Sequence, residues 1–102
     1  MKRKQAYVKG RRIENEARAI LELAGWMVMR SAGSKGPFDL AAFGGFGTRL
    51  IQVKGKKATA ADREGLALLA ASLPTSIRVE LWERVGPKNF TVTTFKPPRK
   101  GV

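Results

Sequence analysis

The sequence predicts an α/β domain, a mixed β-sheet of about five strands flanked by helices. Three observations predict it. Two stretches, near residues 9–24 and 60–73, repeat apolar residues at helical spacing. Five shorter segments have strand-like composition or alternation and are bounded by Gly, Pro or Asn. The resulting order, α-β-β-β-α-β-β, suits a sheet with helices packed on it. A length of 102 residues and a hydrophobic fraction of 43% fit one small folded domain.

Residues 1–8 read as a basic arm with little apolar content. A helix is expected from about Lys9 to Ala24, because Ile13, Ala17, Ile20, Leu21 and Ala24 form one apolar stripe. Gly25 stands where a helix C-terminus favours glycine. Trp26 to Arg30 reads as a strand, and Ser31 to Gly36 as a loop of small residues. Phe38 to Phe43 and Thr48 to Lys54 read as two strands joined by a turn containing Gly44, Gly45 and Gly47. A second helix is expected from Ala60 to Leu73, with Thr59 and Asp62 in a capping-box arrangement and Pro74 as its stop. Leu66, Leu69, Ala70 and Leu73 make its buried face, and Leu68 lies off it. Ile77 to Val85 and Phe90 to Phe95 form the last two strands, around Gly86-Pro87-Lys88-Asn89. Trp82 falls beside Arg78, Glu80 and Arg84, so it is expected to be exposed, more as a dimer contact than as a stacking platform for bases. Residues 96–102 read as a flexible basic tail.

Twenty Lys and Arg against eight Asp and Glu give a formal charge of +12. Self-repulsion on this scale calls for a polyanionic partner, and nucleic acid is the leading one. The absence of Cys excludes disulfides, thiol nucleophiles and Cys-based zinc sites. The absence of His excludes Ser-His-Asp, Cys-His and His-metal chemistry. Catalysis would need carboxylates, Lys, Tyr, Ser or a hard cation held by oxygen. No apolar run suggests a signal peptide or a membrane span, so a cytoplasmic location without a membrane partner is expected.

The glycine turn brings chemistry together. If Phe43 pairs with Thr48, Asp39 faces Gln52 across the hairpin, with Cβ atoms about 4.5–5.5 Å apart. Lys54, two residues on, shares their face, and Ile51, Val53, Phe38 and Leu40 point to the other. A one-residue slip would undo this. Glu14 borders the apolar stripe of the first helix and offers a second carboxylate. Glu16 lies at the opposite edge, and periodicity alone does not separate the two. Such a group suits phosphodiester hydrolysis, with Asp39 and Glu14 on Mg²⁺ or Mn²⁺ and Lys54 at the attacking water or the developing charge. The Gln52 carbonyl is an uncharged, weaker ligand for a hard cation.

These residues resemble the PD-(D/E)-x-K nuclease superfamily, and within it the small archaeal-type Holliday junction resolvases. The likeness spans roughly residues 9–57. It includes Lys9-Gly10 before Glu14, Gly25-Trp26 leading to Arg30-Ser31-Ala32-Gly33-Ser34, Phe38-Asp39-Leu40-Ala41, and Ile51-Gln52-Val53-Lys54. The resemblance implies a restriction-endonuclease-like sheet and a dimer that cuts four-way DNA junctions with Mg²⁺ or Mn²⁺, with no small-molecule substrate. It implies Glu14, Asp39, Gln52 and Lys54 as catalytic residues, with Ser34 or Ser31 assisting at the phosphate. It implies Asp39, Glu14, Gln52 and the Val53 backbone carbonyl as metal ligands. The expected DNA contacts are Lys2, Arg3, Lys4, Lys9, Arg11, Arg12, Arg30, Ser31, Ser34, Lys35, Lys56 and Lys57. Gln52 departs from the family pattern, which has Glu there, although some superfamily members use Gln and remain active. Two other readings stay open: a related nuclease acting on other branched or duplex DNA, and a non-catalytic nucleic-acid-binding protein.

Overall fold

The structure, a computed structural model, describes residues 2–31 and 37–96, with side chains described from residue 10 onward. Two helices and five strands follow the expected order. They are α1 (Lys2–Leu23), β1 (Met27–Arg30), β2 (Leu40–Gly44), β3 (Gly47–Lys54), α2 (Ala60–Ser72), β4 (Ile77–Gly86) and β5 (Asn89–Phe95). The strands form one mixed sheet in the order β1-β2-β3-β4-β5. The β3–β4 pair is parallel, joined through α2, and the other pairs are antiparallel.

Helix α1 begins at Lys2, several residues before the expected start at Lys9. The first residues are mostly good helix formers, so nothing in them stops the helix short of Gly10. Its other end follows the glycine signal. Gly25 has φ +96°, the Trp26 N–H donates to the Leu21 carbonyl and the Gly25 N–H to that of Glu22. That double bond pattern is a Schellman motif. The capping box of α2 also forms, with Thr59 Oγ1 accepting from the Asp62 N–H and Asp62 Oδ2 from the Thr59 N–H.

The helices cover opposite faces of the sheet. Ile13, Ala17 and Leu21 of α1 pack on Val28, Leu40, Ala42, Ile51, Val53 and Trp82. Leu66 and Ala70 of α2 pack on Val79 and Leu81. Because α2 lies over β4 and β5, the same face of β1 and β2 is left with exposed Met27, Met29 and Phe43.

Trp82 is not exposed as its polar neighbours suggested. It is 4% exposed within the α1-side core, tilted against Phe90, and its indole N–H donates to Glu80. Strand β4 has partners on both sides and helices on both faces, so its two acids, Glu80 and Glu83, are buried as paired groups. Glu80, 1% exposed, accepts two bonds from the Arg49 guanidinium at 2.9 and 2.6 Å. Arg49 in turn lies over the rings of Trp26 and Trp82.

The hairpins place the remaining pieces. In β2–β3 the register is Phe43↔Thr48 and Gly44↔Gly47, leaving the two-residue turn Gly45-Phe46. Gly47 has φ +123°, and a Cβ there would lie 3.0 Å from the Ser76 carbonyl, so the turn requires glycine. Among the described residues, no helix is long and apolar enough to cross a membrane.

Removing Glu80 would leave the Arg49 guanidinium and the Trp82 N–H without their shared acceptor. Glu80→Ala is therefore expected to destabilise the fold by about 3 kcal/mol. Urea unfolding followed by tryptophan fluorescence measures this, and a loss below about 1 kcal/mol would show that the network adds little.

Candidate active site

The β2–β3 ladder keeps the expected register as far as Leu40↔Ile51 and stops one step short of the expected Asp39–Gln52 pair. Strand β2 starts at Leu40, two residues later than the expected Phe38, and Asp39, just before it, bonds to Ile51 and Val53, the neighbours of Gln52 on β3. The Asp39 N–H donates to the Ile51 carbonyl at 2.8 Å, and the Ser31 N–H donates to the Asp39 carbonyl at 2.8 Å. Asp39 is thus held from both neighbouring strands. Its carboxylate Oδ2 accepts from the Val53 N–H at 2.8 Å, which aims the side chain across the end of β3. A strand residue presents its N–H and C=O to the same neighbour, so the Val53 carbonyl faces the Asp39 side too.

Gln52 and Lys54 share the face opposite the α1 core, since Ile51 and Val53 are buried beneath that helix. The Gln52 Oε1 is buried, and among the described residues it has no hydrogen-bond partner. A buried acceptor in that state costs roughly 1–3 kcal/mol, so the position suits an oxygen that completes its bonding with a ligand. Lys54 Nζ lies 3.3 Å from Asp62 Oδ2, at the N-terminus of α2.

Glu14 comes from the facing side of α1. Its carboxylate accepts from Arg30 Nε at 3.2 Å. Burial raises its pKa, and the nearby Asp39 charge raises it further, against the opposing pull of Arg30 and Arg11. Burial also raises the pKa of Asp39, against the Val53 N–H, Lys54 and Arg30. Two carboxylates that are both costly to ionise, close enough to repel, suit a bound divalent cation. Glu16, the other candidate on this helix, is committed elsewhere. It binds the Arg84 guanidinium at 2.9 and 3.1 Å and accepts from the Lys88 N–H, tying α1 to the β4–β5 turn.

Among the described residues, no three Asp, Glu, His or Cys side chains cluster closely enough to hold a metal. The oxygens on offer at this end of β3 are the Asp39 and Glu14 carboxylates, the Gln52 amide and the Val53 backbone carbonyl. Hard cations such as Mg²⁺ take oxygen ligands of these kinds and keep several waters, so the residues present fit such an ion.

Other expected positions vary. Arg11, Arg12, Lys56 and Lys57 are exposed, and Ser31 and Arg30 lie beside the site. Lys2, Arg3, Lys4 and Lys9 lie on α1, with side chains outside the described ones. Ser34 and Lys35, like the tail beyond Lys96, lie outside the described residues. Two partnerships escaped the sequence. Arg30, expected on DNA, binds Glu14, and Asp62, expected only as a cap, binds Lys54.

No protein-family model matches the chain, and no curated protein does. Among solved structures, it shares its fold with the Holliday junction resolvase Hjc of Archaeoglobus fulgidus, an archaeal hyperthermophile. The TM-score is 0.63 at 23% identity, covering 81% of this chain and 73% of that one. The expected mixed sheet with flanking helices is the fold the two proteins have in common.

The raised pKa of Asp39 has a consequence for stability. Its ionised form is disfavoured in the folded state, so the cost is absent below the ordinary carboxylate range. The cost grows as pH rises through the folded pKa and persists at neutrality. Metal-free Asp39→Asn is therefore expected to melt a few degrees above the parent at pH 7, with the gap closing as pH falls toward the carboxylate range. Calorimetry at several pH values measures this. A variant that melts below the parent at pH 7 would show that the Lys54 and Arg30 attractions outweigh burial.

Proposed function

We propose that the chain is a metal-dependent DNA endonuclease that acts as a homodimer on four-way junctions in the cytoplasm. The observation that carries this reading is that Asp39 lies close enough to Glu14 and Lys54 for their charges to interact, while the Gln52 oxygen, two residues before Lys54 on β3, is buried and, among the described residues, unpaired. Its support is threefold: the +12 charge, the family resemblance of the motif, and a fold shared with a junction resolvase.

On this reading Asp39, Glu14, the Gln52 amide oxygen and the Val53 carbonyl hold Mg²⁺ or Mn²⁺. When bound, the ion lowers the pKa of a water and polarises the scissile phosphate. Asp39 is oriented for ligation by its bond from the Val53 N–H. Lys54 presents an ammonium that orients the attacking water or balances charge on the phosphate. Arg30, released from Glu14 by the ion, becomes available to a phosphate. Ser34 and Ser31 belong to the segment leading into Asp39 and serve the same phosphate. Lys2, Arg3, Lys4, Lys9, Arg11, Arg12, Lys35, Lys56 and Lys57 follow the DNA backbone, an interaction that weakens steeply with salt. The exposed Met27, Met29 and Phe43 surface is suited to contact with a second copy.

The neutral Gln52 favours one competitor, a protein that binds such DNA without cutting it. The test uses a synthetic four-way junction and a linear duplex with Mg²⁺ or Mn²⁺. The parent is expected to cut the junction in preference. Lys54→Ala and Asp39→Asn are expected to keep binding but lose cleavage by about 100-fold or more. Cleavage of neither DNA under any divalent ion would leave the binding-only reading. Equal cutting of both would remove the junction preference. Gln52→Glu separates a crippled ligand, with a large gain in rate, from an adapted one, with none.

A further inference from the structure

The charges around this site do not add up to a good cation site unless a fifth group is counted. Glu14 and Asp39 carry the negative charge. Arg30 is bonded to Glu14, and Lys54 acts on Asp39. These two cations already cancel the two carboxylates, Arg11 acts on Glu14 as well, and Gln52 adds no charge. A divalent cation would meet an almost neutral group of ligands.

Asp62 changes the balance. Its Oδ2 lies 3.3 Å from Lys54 Nζ and also accepts from the Thr59 N–H at 3.0 Å. The carboxylate is immobilised, because the Asp62 N–H is itself bonded to Thr59 Oγ1. The linker before α2 is fastened independently by Glu83, which accepts from the Ala58 N–H at 2.7 Å and from Arg63. Glu83 sits on β4 directly beside Lys54 in the β3–β4 register. The end of β3 and the start of α2 therefore form one braced unit, and Lys54 is the side chain that the brace holds toward Asp62.

We propose that Asp62 is a positioning residue for Lys54 and supplies the negative charge that Gln52 lacks. It draws the ammonium away from Asp39, which leaves Asp39 and Glu14 free to hold a divalent cation, and it keeps Lys54 at a fixed place beside them. The inference rests on the metal-dependent nuclease reading of the same site.

The test is Asp62→Asn, which keeps an oxygen for the Thr59 N–H and removes only the charge. Thr59→Ala serves as the control, since it removes one capping bond and leaves the Asp62 carboxylate facing Lys54. Mn²⁺ affinity is read by isothermal titration calorimetry without DNA, and junction binding is read without metal. Asp62→Asn is expected to weaken Mn²⁺ binding by about 10–100-fold, as for groups that orient metal ligands. Thr59→Ala is expected to leave it within about twofold. Metal-free junction binding should be unchanged in both. Adding Gln52→Glu to Asp62→Asn should restore most of the lost affinity. Equal Mn²⁺ affinity in the parent and Asp62→Asn overturns the positioning role and leaves the nuclease reading intact. Equal losses in Asp62→Asn and Thr59→Ala assign the effect to the helix cap and overturn it as well. A parent that binds no Mn²⁺ overturns the nuclease reading, and this inference with it.

Discussion

The register of the β2–β3 hairpin is the constraint on which the site depends. The Gly44↔Gly47 pair closes the hairpin with a two-residue turn, and that count carries the ladder to Leu40↔Ile51, from which Asp39 reaches the end of β3. The core enforces the same count. Leu40, Ala42, Ile51 and Val53 are buried under α1, and a slip by one residue would turn them toward the other face. Each large apolar side chain returned to water costs roughly 1.5–3 kcal/mol. Alternative registers are therefore excluded by packing, and the polar groups at the hairpin's open end inherit that precision without any contact of their own having to impose it.

The acidic residues of this strongly basic chain divide by what they hold. Glu80, Glu83 and Glu16 each accept several hydrogen bonds and join elements distant in sequence. They tie β3 to β4, the α2 linker to β4, and α1 to the last hairpin. Glu14 and Asp39 differ: each accepts one bond, from Arg30 and from the Val53 N–H, but burial opposes the ionisation of both, and the Asp39 charge opposes that of Glu14 further. In a domain that repels itself at +12, carboxylates are scarce. Two of them held where burial disfavours their charge are, on the proposed reading, a site whose balance a ligand completes.

The hairpin and its consequences were legible in the sequence because they are local. Turn length, alternation and two capping signals fix the β2–β3 register up to Leu40↔Ile51, the end of α1 and the start of α2. The environment of Trp82 was not legible. Its neighbours Glu80 and Arg84 look like a solvated face until Arg49 and Glu16 arrive from β3 and α1 to pair with them. The same is true of Lys54 with Asp62 and of Arg30 with Glu14. These pairings require knowing that β3 and β4 run parallel with α2 between them, and that α1 crosses the end of β1. Periodicity carries no information about such long-range choices. It could not separate Glu14 from Glu16, and Arg84 does so simply by occupying Glu16.

Gln52 can be understood through the cost of the metal-free state. A glutamate there would add a third carboxylate near Asp39 and Glu14, both of whose pKa values are already raised by burial, that of Glu14 also by the Asp39 charge. The repulsion would grow in the protein without metal and vanish only once a cation was bound. Glutamine keeps the oxygen and the shape but removes that repulsion, leaving one unpaired acceptor in its place. An unpaired amide oxygen is a smaller burden than an unpaired buried charge. On the proposed reading, the amide exchanges affinity for the ion against stability of the empty site. On the same reading the exchange is workable because Asp62 shares Lys54, so that Asp39 does not meet the whole of its charge.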